Sequence, residues 1–176
     1  MEKVYIEFLL SRRSIRKFKD KEVSKDILLK ILDIARYAPS ARNAQPWEYI
    51  VITDKSIIRE LSKTRGLASK PLENAAAAIA VVTDPSISPN THMIDGACTT
   101  MYILLAAHAL GLGAVWINAL DHPVMKKILR IPENKFLLCI IALGYPDEKP
   151  KAKPRKPLNE LVHYETYKSI GESKDI

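Results

Sequence analysis

Three arginines and two serines crowd around Ile15 and Phe18 in SRRSIRKF, from Ser11 to Phe18. The guanidinium fork of arginine matches phosphate oxygens, and a serine hydroxyl adds a short donor. In an extended segment Arg12, Ser14 and Arg16 share one side, with Arg13 beside them. A second basic group, Lys149, Lys151, Lys153, Arg155 and Lys156, lies near the other end. Two basic clusters suit nucleic acid or a smaller phosphate ligand. No aromatic residues alternate with them as a base-stacking surface requires, which favours the smaller anion. A solvated basic face is the commoner fate of a charge run, so the pattern alone leaves that reading open.

A different chemistry is available in APSARNAQPW, Ala38 to Trp47. Its prolines and small residues make a loop whose backbone can approach a flat ligand. Asn43 and Gln45 offer the donors and acceptors that a heterocycle edge needs. A plain helix-to-strand connection has the same composition. His92, His108, His122 and His163 lack metal-ligand spacing, and so do Cys98 and Cys139. Both cysteines lie in apolar surroundings and read as buried free thiols, which points to the cytoplasm. There is no Ser–His–Asp or paired-carboxylate pattern. No GxGxxG follows a strand, and GLG at 111–113 precedes one, so a Rossmann dinucleotide site is not supported.

These residues must be positioned by a core, and the centre of that core is Thr91 to Gly113. Between Met93 and Leu112 there is no lysine or arginine, and Asp95 is the single acid. Apolar residues go most of the way round a helix here, as expected for a helix buried on all sides. Two arrangements meet that demand: an ordinary core helix, or a helix at the interface between two copies. Gly111 and Gly113 end it.

Around it the spacing predicts a short amphipathic helix from Val4 to Leu10 and a helix capped by Ser24 through Tyr37. Strands are expected at Trp47–Thr53, Ala75–Thr83, Gly113–Asn118 and Lys135–Leu143. A helix capped by Thr53 or Asp54 runs to about Leu61, and one capped by Asp121, with Pro123 in its first turn, runs to about Arg130. That order alone suggests a parallel α/β sheet. After Gly144 the stretch YPDEKPKAKPRKP cannot form a core and reads as an extended arm. Leu158, Leu161, Val162, Tyr164 and Tyr167 follow and want burial, so the arm is expected to dock on its own body or on a partner.

The chain has 176 residues, 47% of them hydrophobic, and a net charge of +7, which fits one globular domain spanning 1–176. The start, MEKVYIEFLL, does not read as a signal peptide. No apolar run is long enough to span a bilayer without a charge, since the central helix includes Asp95 and His108.

Four stretches in order, RRSIRKF, APSARNAQPW, AAHALGLGAVWI and IALGYPDEKPKAKPRKPLNELVHYE, resemble the FMN-dependent nitroreductase family in its short, single-domain form. The resemblance implies an α+β fold: a three-layer α/β/α sandwich with a mixed, mainly antiparallel sheet. It implies a homodimer whose C-terminal arm, from about 146 to 176, crosses to the partner, and one tightly bound FMN per subunit in a cleft built from both. Arg12, Arg13 and Ser14 match positions that grip the ribityl chain and phosphate, and Arg16 matches a basic position near the N1–C2 edge of the ring. Pro39, Ser40, Ala41, Asn43 and Gln45 match a loop that lines the ring from the second subunit. Trp116, Ile117 and Asn118 match a segment passing the ring, and Lys153 and Arg155 match basic residues that close on the phosphate. Asn118 departs from the acidic residue of the larger enzymes. The segments Lys55 to Leu72 and Pro85 to Asn90 are short where members with a substrate lid carry insertions.

The activity this implies is ping-pong hydride transfer from NAD(P)H, through FMN, to a nitroaromatic, quinone or similar electron-poor acceptor. The cofactor carries the chemistry and the protein supplies binding, orientation and charge, with Arg16 supporting the reduced flavin. A flavin carrier or sensor without turnover is the alternative. No metal, membrane or nucleic acid is expected as a partner.

Overall fold

The computed structural model describes residues 2–167. Nine regular elements appear in chain order: α1 (Glu2–Ser11), α2 (Lys25–Ala35), β1 (Trp47–Ile52), α3 (Lys55–Ser62), β2 (Ala77–Thr83), α4 (His92–Ala109), β3 (Gly113–Asn118), α5 (Pro123–Leu129) and β4 (Phe136–Gly144). The sheet has the order β1-β2-β4-β3, and every neighbouring pair is antiparallel. The parallel sheet suggested by element order is therefore wrong. Among the described residues parallel pairing is confined to one isolated bridge, Ser14 to Ala114.

Side chains alternate across the sheet. Ala78, Ala80 and Val82 of β2 face α3, α5 and the turn Lys70–Asn74, packing with Ile58, Leu61, Leu72 and Met125. Ala77, Ile79 and Val81 face the opposite side and pack with Leu28 and Ile31 of α2 and Ile103 and Ala107 of α4. The result is three layers, α/β/α. The pairing of β2 with β4 shifts at Val81/Val82, so Leu138 is an extra residue in β4 and points with Cys139 to the α4 side. Gly96 makes room for it: a Cβ there would lie 2.8 Å from Leu138 Cδ2.

Local signals account for several helix ends. Ser24 caps α2 by accepting Ile27 N–H, and Asp54 caps α3 by accepting Ser56 and Ile57 N–H. Asp121 does not cap α5. That position is held by His122, while Asp121 sits at φ 60° and pairs with the buried Lys126 at 3.0 Å. Gly111, at φ 74°, turns the chain out of α4.

The central helix is not buried on all sides within one chain. Thr99, Thr100, Ile103 and Ala107 are covered, whereas Met93, Ile94 and Met101 are exposed. Most apolar residues of α1 are also uncovered: Val4, Tyr5, Ile6, Leu9 and Leu10 are exposed, while Phe8 is half-buried. The arm residues Leu158, Leu161, Tyr164 and Tyr167 are exposed too, so the arm does not dock on its own body. The remainder of the expected arm, 168–176, lies outside the described residues. Among the described residues no helix is long and apolar enough to cross a membrane.

Candidate functional site

The basic residues near the two ends of the chain meet at the β3 edge of the sheet. Past α1 the chain lies beside β3, with Ile15 N–H donating to Ala114 O at 3.1 Å. This approach needs a glycine next door, since a Cβ on Gly113 would lie 2.7 Å from Ile15 Cβ. Further on, the chain pairs with the root of the arm: Phe18 bridges Pro146, Lys19 N–H donates to Tyr145 O at 2.8 Å, and Asp147 N–H donates to Lys17 O at 2.9 Å.

This seam brings Arg12, Arg13, Ser14 and Arg16 opposite Lys151, Lys153 and Arg155 around a cleft of about 160 Å³. Six cations line it and no acid does. Among the described residues none of the six is ion-paired. Arg13 is partly committed elsewhere, since its guanidinium donates to Leu10 O at 2.7 Å and Arg12 O at 2.9 Å and so caps the carbonyl end of α1. Arg155 donates to Lys153 O at 3.0 Å within the arm. Such a cleft is poised for a multiply charged anion.

A larger cavity of about 450 Å³ adjoins it, bounded by Arg12, Arg13, His108, the 111–114 turn and Glu148. His108 Nε2 is 2.8 Å from Ser11 Oγ, and its ring stacks on Phe8 with centroids 5.0 Å apart. Burial lowers the His108 pKa below the ordinary histidine value, and the charges of Arg12 and Arg13 lower it further.

Along β3 a cleft of about 310 Å³ runs beside Val115, Trp116, Ile117 and Asn118. Arg16 stands at one side; Arg65, Leu67, Ala68 and Pro71 form the other. Trp116 Nε1–H donates to Asn118 Oδ1 at 2.6 Å, and the Arg65 guanidinium donates to Asn118 O. A fourth opening, about 370 Å³, continues past Arg16 and Lys17 to Lys70 and Glu148. Arg65, Leu67, Lys70 and Pro71 escape the sequence reading because they match no motif. They reach the site through the packing of α3 and the Lys70–Asn74 turn against the sheet.

The loop carrying Pro39, Ser40, Ala41, Asn43 and Gln45 is elsewhere. Arg42, Asn43 and Gln45 all adopt positive φ, at 54°, 57° and 47°. Such backbone is held only when its surroundings over-determine it. Here the buried Asp95 does so: Ala41 N–H donates to Asp95 Oδ1 at 2.9 Å, and Thr91 Oγ1 donates to Asp95 Oδ2 at 3.0 Å. The loop feeds β1, at the opposite sheet edge from β3. Trp47 is level with Phe136 of β4 through Thr83, whereas Ala114 is level with Leu143. At ordinary strand spacing and rise, the loop and Ser14 are separated by about 19 Å across the sheet, four strand spacings, and about 20 Å along it. A single chain does not bring this loop to the basic cleft.

Comparison with known proteins gives a consistent assignment. The Nitroreductase family model matches residues 9–65 and 64–145. A protein of Archaeoglobus fulgidus with the provisional name NADH dehydrogenase/NAD(P)H nitroreductase is 39% identical over 152 residues, covering 82% of this chain and 87% of its own. Among solved structures, an FMN-dependent nitroreductase from Clostridium difficile R20291 is 36% identical with a TM-score of 0.85, covering 92% of this chain and 99% of that one. The NADPH:FMN oxidoreductase from Vibrio harveyi, complexed with NAD+, is 29% identical with a TM-score of 0.83, covering 93% of this chain and 78% of that one. Sequence and fold thus agree over nearly the whole length, and the chain belongs to the nitroreductase family of oxidoreductases.

Proposed function

We propose that this chain is an FMN-dependent NAD(P)H oxidoreductase that works as a homodimer and passes electrons to a nitroaromatic, quinone or similar electron-poor acceptor. The observation that carries the reading is the unpaired six-cation cleft opening onto an edge strand. A phosphate dianion offsets part of the charge of that cleft. Among the described residues the outer edge of β3 is bridged at Ser14–Ala114, and strand alternation leaves the outward backbone groups of Trp116 and the Asn118 N–H for a heterocycle.

When bound, FMN supplies two-electron hydride chemistry between NAD(P)H and the acceptor. Arg12 and Ser14 hold the phosphate end, and Lys153 and Arg155 close on it from the arm. Arg16 places a permanent positive charge beside the β3 cleft, where it stabilises negative charge that builds up there. Trp116, Ile117 and Asn118 form the wall. With Asn118 in place of an acid, that wall presents an amide, itself held by Trp116.

Dimerisation follows from the position of the loop. Pro39 to Gln45 face a cleft of this kind only if that cleft belongs to another copy. The exposed apolar residues of α1, α4 and the arm supply the surface to be covered, including Leu9, Met93, Met101, Leu158 and Leu161.

The direct test is the visible spectrum of purified protein, before and after incubation with FMN. A flavin spectrum that survives desalting supports the reading; a protein colourless in both states overturns it. Arg12→Ala and Ser14→Ala should then weaken FMN binding about tenfold or more while the melting temperature barely moves, each removing a charge-assisted or hydroxyl contact to phosphate. Oxidation of NADH or NADPH with menadione or a nitroaromatic separates an enzyme from a flavin carrier.

A further inference from the structure

Glu148 stands where the arm leaves the sheet. Its Oε1 accepts Arg16 N–H at 2.5 Å and Lys17 N–H at 3.2 Å. The neighbouring contacts, Asp147 N–H to Lys17 O and the Phe18–Pro146 bridge, are ordinary backbone pairings. At Arg16 a side-chain carboxylate takes over as the acceptor and completes the seam.

The Arg16 guanidinium takes no part in this. Among the described residues it pairs with no carboxylate, and it reaches only Ser14 O at 3.5 Å. Glu148 thus holds the backbone of Arg16 from behind while the charged head stays free. The same carboxylate borders both the cavity beside Arg12 and His108 and the opening beside Lys17 and Lys70. It is a negative charge set between two groups of cations, next to the arginine that faces the β3 cleft.

We propose that Glu148 is a positioning residue for the flavin: it fixes the Arg16–Lys17 backbone so that the Arg16 guanidinium is presented to the ring, and its charge lowers the flavin reduction potential. This rests on the flavin reading above. The two roles depend on different properties of one side chain. Positioning needs an acceptor oxygen that two N–H groups can share, which an amide also provides. The electrostatic role needs the charge, because a nearby anion opposes the added electron density of a reduced ligand.

Glu148→Gln and Glu148→Ala separate them, read by FMN affinity through fluorescence quenching and by midpoint potential against a reference dye. Glu148→Ala leaves two N–H groups without their acceptor and should weaken FMN binding about tenfold or more. Glu148→Gln should hold affinity within about threefold of wild type. Its potential should rise as reduced FMN gains on oxidised FMN by about tenfold, or about 30 mV for a two-electron couple. Unchanged affinity in Glu148→Ala, or equal loss in both variants, overturns the positioning role. An unmoved potential in Glu148→Gln overturns the electrostatic role. Should Glu148→Ala fail to fold, Glu148→Asp, with a carboxylate one methylene short, should show the same loss of affinity. Wild-type protein that binds no FMN rejects the flavin reading itself, an outcome distinct from variants that match a flavin-loaded wild type.

Discussion

Ser11 Oγ and His108 Nε2 lie 2.8 Å apart, joining the last residue of α1 to the last turn of α4. This contact and the Phe8 stack hold the end of α1 directly before the basic segment Arg12–Arg16. His108 has a lowered pKa, from burial first and from Arg12 and Arg13 next. A histidine whose folded pKa is depressed binds fewer protons folded than unfolded. Its contribution to stability is therefore intact above the unfolded value of 6.5 and is lost as pH falls below it. An NMR titration should find the His108 midpoint below the ordinary histidine range. Arg12→Ala should raise it part of the way, since the burial remains. A midpoint at or above 6.5 contradicts this.

Gly113→Ala should loosen the basic segment without touching a charge. The new Cβ would meet Ile15 Cβ and Cγ2 at 2.7 Å, and Ile15 is itself buried. Overpacking of this kind costs about 1–3 kcal/mol. Because Ile15 sits between Ser14 and Arg16, FMN affinity should fall together with the melting temperature. A melt unchanged from wild type would mean that the segment is not clamped there.

Asp95 carries the loop that faces away from the basic cleft. Asp95→Ala removes the acceptor of Ala41 N–H, Thr91 Oγ1 and Ser88 Oγ, and hydrogen bonds to charged acceptors contribute about 1.5–3 kcal/mol. The expected loss of stability is about 2 kcal/mol on that scale. Asp95→Asn keeps an oxygen for Ala41 N–H and should retain most of it. In the proposed dimer FMN affinity should fall in Asp95→Ala although no cation is altered. Chemical denaturation and FMN titration of both variants check this.

Cys139 is buried against Thr100, and burial pushes its thiol up to about 12. At pH 8.5 it should stay protonated and resist a thiol reagent until the protein is denatured. Rapid labelling of Cys139 in native protein, located by peptide mapping, would show that the α4–sheet layer opens readily.

The features legible in the sequence are those carried by local chemistry. Ser24 and Asp54 are the side-chain caps their types suggest, and the four strands lie close to where apolar runs place them. Strand direction was not legible, because periodicity reports which face a residue occupies and not which neighbour it pairs with. Asp121 misled as a cap because His122 intervenes before Pro123 and the carboxylate is drawn to Lys126 instead. The meeting of Arg12–Arg16 with Lys151–Arg155 was suggested by charge type and by family resemblance. The separation of Pro39–Gln45 from that cleft is visible only in the strand order. Arg65 and Leu67 gave no warning, since an exposed arginine and an exposed leucine on a turn are ordinary in any sequence.

The stitching of residues 14–19 to 145–148 splits the cation cleft between two distant parts of the sequence. All four strands lie between Trp47 and Gly144, whereas Glu148, Lys151, Lys153 and Arg155 follow the last of them. Proteolytic loss of the segment beyond Gly144 would therefore spare every strand while removing three of the six cations and the acceptor behind Arg16. A clipped molecule would keep its sheet and lose its grip on an anion.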